Sequence, residues 1–256
     1  MQARSRAQEK AQALRQQLQL GDGYVDVFDV LRRIGIEVYR APVEGDGLEG
    51  SLIIAAGSAF MFVNSTGALT RQRLTAAHEL GHYELGGRHD GTEIVEDYAG
   101  VVDEHEEWDA FRFARHFLMD EAGVRQLTSS IEDEEARVAA VAHAFVVSPS
   151  VAAIHLQELN VIRRATKDRL KQAFDAGVLK PSAFLLRHGY AMEDLSSPVR
   201  SLDPGHVARS FEAYAHGELG LVALSELLQE DEERTLAIIA EAGLAVPDEP
   251  DEDPAP

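Results

Sequence analysis

The chain has 256 residues, 45% of them apolar, which is enough for one large domain or two smaller ones. It contains no cysteine, so disulfides and thiolate metal sites are excluded and a transition metal would have to be held by histidine and carboxylate. The formal net charge of −20 argues against a general affinity for nucleic acid, and neither a signal-peptide pattern nor a bilayer-length apolar run is visible, so the expectation is a soluble, cytoplasmic protein with no membrane contact.

Residues 3–20 are rich in Ala, Gln and Leu and predict a helix that Gly21-Asp22-Gly23 stops. Residues 25–36 carry Val25, Val27, Val30, Leu31 and Ile34 at helical spacing. A short strand follows over 36–39, and strands over 51–54 and 59–64 are joined at Gly57-Ser58. Thr70 is the expected cap of the next helix, which Gly86-Gly87 closes. Residues 88–100 read as a polar loop, and 102–119 as a second long helix. From Ile131 onward the pattern is helical throughout, with helices over 134–144, 149–159, 161–176, 207–215 and 223–242, a linker over 195–204, and an acidic, Pro-rich tail after Pro247.

The helix after Thr70 contains His78-Glu79-Leu80-Gly81-His82. Positions i and i+4 lie one above the other on a helix, so His78 and His82 can aim ring nitrogens at one ion. Glu79 falls beside that face, where it can take a proton from water that the metal has acidified, and Gly81 leaves space near the ion. Catalytic zinc usually has three protein ligands, and the third must come from elsewhere. Ala110, Phe111, Ala114 and Leu118 form an apolar stripe in line with Glu107, which turns that carboxylate toward the core and makes it the first candidate; Asp103, one turn earlier, is the runner-up. Two histidines and one carboxylate suit Zn2+, with Mn2+ as the alternative that the sequence does not decide against.

These residues resemble the ImmA/IrrE family of metallopeptidases over roughly the first 165 residues. The resemblance rests on Phe62-Val63-Asn64, on Leu74-Thr75-Ala76-Ala77-His78-Glu79-Leu80-Gly81-His82, and on Glu107-Trp108-Asp109-Ala110 with Phe113-Ala114 and Phe117-Leu118-Met119. It implies that Glu107 is the third zinc ligand. Two positions depart from the family pattern: Phe111 stands where Asn or Asp is usual, and Asp120 where Pro is usual. The resemblance further implies an endopeptidase that cuts a partner repressor of the helix-turn-helix class. The strand over 59–64 is expected to be an edge that aligns an extended substrate segment, with Phe60, Phe62 and Asn64 as substrate-binding positions.

The expected fold is α+β, with a zincin-like core at 1–122 made of a small sheet and two ligand-bearing helices. A helix-turn-helix-like domain at 123–194, a small helical module at 195–246 and a disordered tail at 247–256 follow. The segment from Pro149 to His155 would be the recognition helix, but it carries no Arg, Lys, Asn or Gln to read base edges, so DNA binding is disfavoured. The alternative reading is a DNA-binding or protein-binding regulator with a structural or vestigial metal site. His89 and Tyr98 are candidate donors to an oxyanion, and the histidines outside the motif show no ligand spacing among themselves.

Overall fold

A computed structural model describes residues 5–43, 49–55, 58–86, 93–95, 104–190, 204–228 and 230–241. The chain divides into two units, 1–201 and 202–256.

In the first unit, α1 (Arg6–Gln17) begins at a capping box in which Ser5 and Gln8 satisfy each other's backbone amides. Helix α2 (Val27–Arg33) is capped by Asp26 and ends as predicted, near Gly35. A sheet of four strands follows in the order β1 (Ile36–Ala41), β3 (Ser58–Asn64), β2 (Gly50–Ala55), β4 (Glu93–Val95). Strand β3 pairs with β1 in parallel and with β2 in antiparallel register, and β4 adds antiparallel to β2. The segment expected to be all loop therefore contains a strand.

The expectation that β3 is an edge is wrong. Met61 is paired on both sides, with Val38 and with Leu52, so β3 is interior and the edges are β1 and β4. Side chains alternate across a sheet. Leu52, Ile54, Ala59, Met61 and Val63 are buried on one face, and the space above Gly50 on that face is filled by Thr75 and Glu79 of α3 (Leu69–Gly86). Phe60, Phe62 and Asn64 project from the opposite face of the sheet and are half-buried there.

Helix α4 (Glu104–Leu118) packs along α3, and α1 packs against both. Asp120 then caps α5 (Glu121–Thr128) by accepting from the amides of Ala122 and Gly123, a short helix the sequence pattern did not reveal. Helices α6 (Glu134–Phe145) and α7 (Pro149–Glu158) are bent by 113° across a three-residue turn. Val146 turns that corner in the left-handed region, φ 52°, unusual for a β-branched residue. The buried Arg73 of α3 holds the corner by donating to the carbonyls of Phe145 and Val146. Helices α8 (Arg164–Asp175) and α9 (Pro181–Arg187) complete the unit, and one apolar core runs from Ala7 to Leu185. No residue of α7 is exposed. Among the described residues no single helix is long and apolar enough to cross a membrane.

The second unit holds α10 (Pro204–Ala215), α11 (Leu221–Leu228) and α12 (Glu232–Glu241) around Tyr214, Leu224 and Ile239. The single helix expected over 223–242 is in fact two, because Asp231 accepts from the amide of Arg234 and starts a new helix. The expected linker and the acidic tail lie outside the described residues. The chain is α+β as expected, with a small sheet in the first part and helices after it.

Candidate metal centre

Helix α3 lies between the sheet and α4, and its middle is buried on all sides from Ala76 to Gly81. Thr70, expected as its cap, is the second residue of the helix. The start is tied down instead by Gln72, whose side-chain amide donates to the carbonyls of Gly67 at 2.8 Å and Ser65 at 3.3 Å. This fixes the register of every side chain that follows.

Gly81 sets the distance between α3 and α4. A Cβ there would stand 2.9 Å from the carbonyl oxygen and 3.0 Å from the Cα of Ala110. Only glycine permits this approach, so the role expected for Gly81, space beside an ion, is replaced by contact between helices. Glu107 sits almost one turn before Ala110 and is thereby brought over the histidine face of α3.

Three ligand-type groups then converge. His78 Nε2 is 3.2 Å from Glu107 Oε2, His82 Nε2 is 3.0 Å from Glu107 Oε1, and the two Nε2 atoms are 3.0 Å apart. Zinc bonds of about 2.0–2.1 Å in tetrahedral geometry place ligand atoms roughly 3.3 Å from one another. The three groups are thus close to the spacing one such ion requires, and they form a group able to hold a metal. The hydrogen bond from His78 holds the Glu107 carboxyl below its usual range, against the upward pull of burial, and both imidazoles act in the same direction. A deprotonated carboxylate is the form that binds metal.

Glu79 is 1% exposed. Its Oε1 would lie 3.5 Å from a Cβ on Gly50, and that Cβ would collide with the Thr75 methyl group. Gly50 therefore lets β2 pass close under the turn that carries Glu79, whose carboxylate is buried against that strand and is not one of the three converging groups. The Nδ1 atom of His78 is buried and has no hydrogen-bond partner among the described residues. The ring is packed instead against Phe111, with centroids 4.1 Å apart.

Of the residues singled out from sequence, His78, His82 and Glu107 are brought together, with Glu79 buried on the same turn of α3 and its carboxylate near Gly50 of β2. Phe60, Phe62 and Asn64 are not, since they project from the far face of the sheet. Asn64 is engaged there with the backbone of Val43 and with Thr66. Asp103, His89 and Tyr98 lie outside the described residues.

A second group escaped the sequence reading. His116 of α4 and His155 of α7 have ring centroids 4.6 Å apart, and with Glu158 they too form a cluster of ligand-type atoms. The i, i+3 spacing of His155 and Glu158 on one helix face was the available signal. Burial pushes the His116 imidazole down to about 4 and that of His155 well below its ordinary value. Burial pulls the Glu158 carboxyl up, but hydrogen bonds from Arg115 at 2.9 and 3.1 Å outweigh it and leave it lowered.

No curated protein matches the chain. Residues 31–157 match the model of the Peptidase_M78 family described as an IrrE N-terminal-like domain, a span that begins in α2 and ends in α7 and contains His78, Glu79, His82 and Glu107. That stretch is a domain of the Peptidase_M78 family, matching the ImmA/IrrE group, and it points to a metallopeptidase-like function.

Proposed function

We propose that the protein is a zinc-dependent endopeptidase that cuts a partner transcriptional repressor of the helix-turn-helix class and so relieves repression. The observation that carries the peptidase reading is the convergence of His78, His82 and Glu107 to 3.0–3.2 Å with the buried Glu79 beside them. The choice of a repressor as substrate rests on the resemblance to the ImmA/IrrE family.

His78, His82 and Glu107 would hold the ion, and zinc suits two imidazoles and a carboxylate better than it suits an all-oxygen set. When bound it supplies a Lewis acid that acidifies water and polarises a peptide carbonyl. Glu79 acts as general base: it takes the proton of the attacking water and returns it to the leaving amine nitrogen. Its burial beside β2 keeps it in one orientation, so little is lost in positioning it. The lowered Glu107 carboxyl keeps that ligand ionised without competing for Glu79's proton. A DNA-reading role is disfavoured by α7, which has no fully exposed residue and no Arg, Lys, Asn or Gln from Pro149 to His155 to read base edges.

The test compares cells expressing wild-type protein with cells expressing Glu79→Gln, by mapping newly formed protein N-termini, alongside the metal content of both purified proteins. The expected outcome is about one zinc per chain in each and a set of new N-termini, led by one helix-turn-helix repressor, in the wild type alone. Equal metal content with identical N-termini would rule out the peptidase. A cleaved protein of another class would keep the peptidase and discard the repressor.

A further inference from the structure

Two large apolar side chains stand in the open beside the proposed metal site. Trp108 is 66% exposed and Phe111 is 40% exposed. They are three residues apart on α4, which makes them neighbours on one helix surface. Phe111 was expected to join the buried stripe of α4; Ala110, Ala114 and Leu118 do so at 0% exposure, whereas Phe111 rotates to the edge and covers the ring of His78. Trp108 directly follows Glu107. The two rings thus form an apolar wall that touches one proposed ligand and adjoins another.

Surface aromatics are costly to leave in water and are a common source of binding energy where they lie next to a reactive centre. Apart from the indole N–H of Trp108 the wall is ring carbon, so it distinguishes side chains chiefly by apolar area and shape. It lies within one ring's width of His78, so the side chain it meets must belong to a residue flanking the bond being cut. We propose that Trp108 and Phe111 determine specificity by receiving a large apolar side chain adjacent to the scissile bond of the substrate.

This inference rests on the peptidase reading, and the experiment separates the two. Small hydroxamates bind catalytic zinc directly, so a series that differs only in side chain samples the wall without a known substrate. Acetohydroxamate, the hydroxamates of leucine and phenylalanine, and that of lysine are titrated into zinc-loaded wild type, Trp108→Ala, Phe111→Ala and Phe111→Leu. Calorimetry reads each dissociation constant, and elemental analysis checks zinc in every variant. Trp108 is the only tryptophan of the chain, so its emission also reports occupancy directly.

In the wild type the leucine and phenylalanine compounds are expected to bind about tenfold or more tightly than acetohydroxamate. That ratio should collapse toward one in Trp108→Ala and Phe111→Ala, and be largely restored in Phe111→Leu. Equal affinities across the series in zinc-loaded wild type would overturn the specificity assignment and leave the peptidase intact. So would tightest binding of the lysine compound. Absence of both zinc and acetohydroxamate binding would remove the peptidase reading itself.

Discussion

Helix α4 contributes to two groups of two histidines and one glutamate, and they differ in where their lone pairs point. Glu107 faces His78 and His82 on α3. His116, nine residues later on α4, lies half a turn round the helix and meets His155 and Glu158 on α7. In the first group the carboxylate oxygens face imidazole nitrogens at 3.0 and 3.2 Å. In the second the carboxylate is gripped by Arg115 and approached by Arg112, His155 Nε2 is 2.8 Å from the carbonyl oxygen of Met119, and His116 Nε2 is 2.9 Å from the side-chain nitrogen of Gln8. A cation entering there would meet a guanidinium first. The same three residue types thus make a candidate metal site in one place and a closed polar network in the other. Burial does not tell them apart, since His78 and His155 are both buried. A cavity of about 410 Å³ opens beside His116, lined also by Gln8, Arg15 and Asp120, so a hollow does not by itself mark the chemistry either.

The most direct way to break this comparison is to neutralise each glutamate. Glu107→Gln is expected to reduce bound metal from about one per chain to nearly none after dialysis, and to abolish peptide cleavage. Glu158→Gln should leave metal content unchanged but leave Arg115 buried without its carboxylate, at a cost of roughly 2–3 kcal/mol in stability. Elemental analysis and thermal melting, run on both variants, read the two effects. Metal lost equally in both would mean that the second group supports the first or binds an ion itself.

The next effect concerns how the first group is assembled. In an open helix Gly→Ala stabilises by about 1 kcal/mol. At position 81 the new methyl would meet the backbone of Ala110 and a ring carbon of Phe113 at 3.3 Å, and backbone cannot step aside. Gly81→Ala is therefore expected to destabilise by about 1–3 kcal/mol, as overpacked cores do, and to weaken metal binding by moving Glu107 off the histidines. Chemical denaturation with a parallel metal titration checks both, and a stabilised variant with full metal content would show that α4 is not held by this contact.

How much of this could be read beforehand depended on the range of each signal. His78, Glu79 and His82 lie on one turn of one helix, and the stripe of Ala110, Ala114 and Leu118 aims Glu107 from within α4, so the local period was enough. The order of the sheet is not local: β1 joins β3 rather than its neighbour in sequence, and that placed β3 inside and turned Phe60, Phe62 and Asn64 away from α3. His116 and His155 meet only because α7 docks on α4, and no spacing along the chain encodes that. Helices α5 and α9 have eight and seven residues, too few for a period to show, and the break between α11 and α12 turned on the single cap Asp231.

The smallest expected effect is the response of the second group to acid. An unfolded histidine takes up its proton near 6.5, whereas burial among Arg115, Arg112 and His155 delays His116 to about 4, despite Glu158 and Glu121 nearby. Between those values the unfolded chain binds more protons than the folded one, so stability is lost as pH falls from 6.5 toward 4. The lowered Glu158 adds to the loss below its ordinary range, in the same direction. At pH 5 the His116 contribution should be on the order of 1–2 kcal/mol. Metal release from the first group would also destabilise the protein in acid, because its ligands must be deprotonated to bind. The measurement therefore belongs in the Glu107→Gln background, where that route is already closed. There, the drop in urea midpoint between pH 7 and pH 5 should shrink when His116→Gln is added. An unchanged drop would remove His116 as its source and leave His155, whose imidazole burial also pushes down, or groups outside the second cluster.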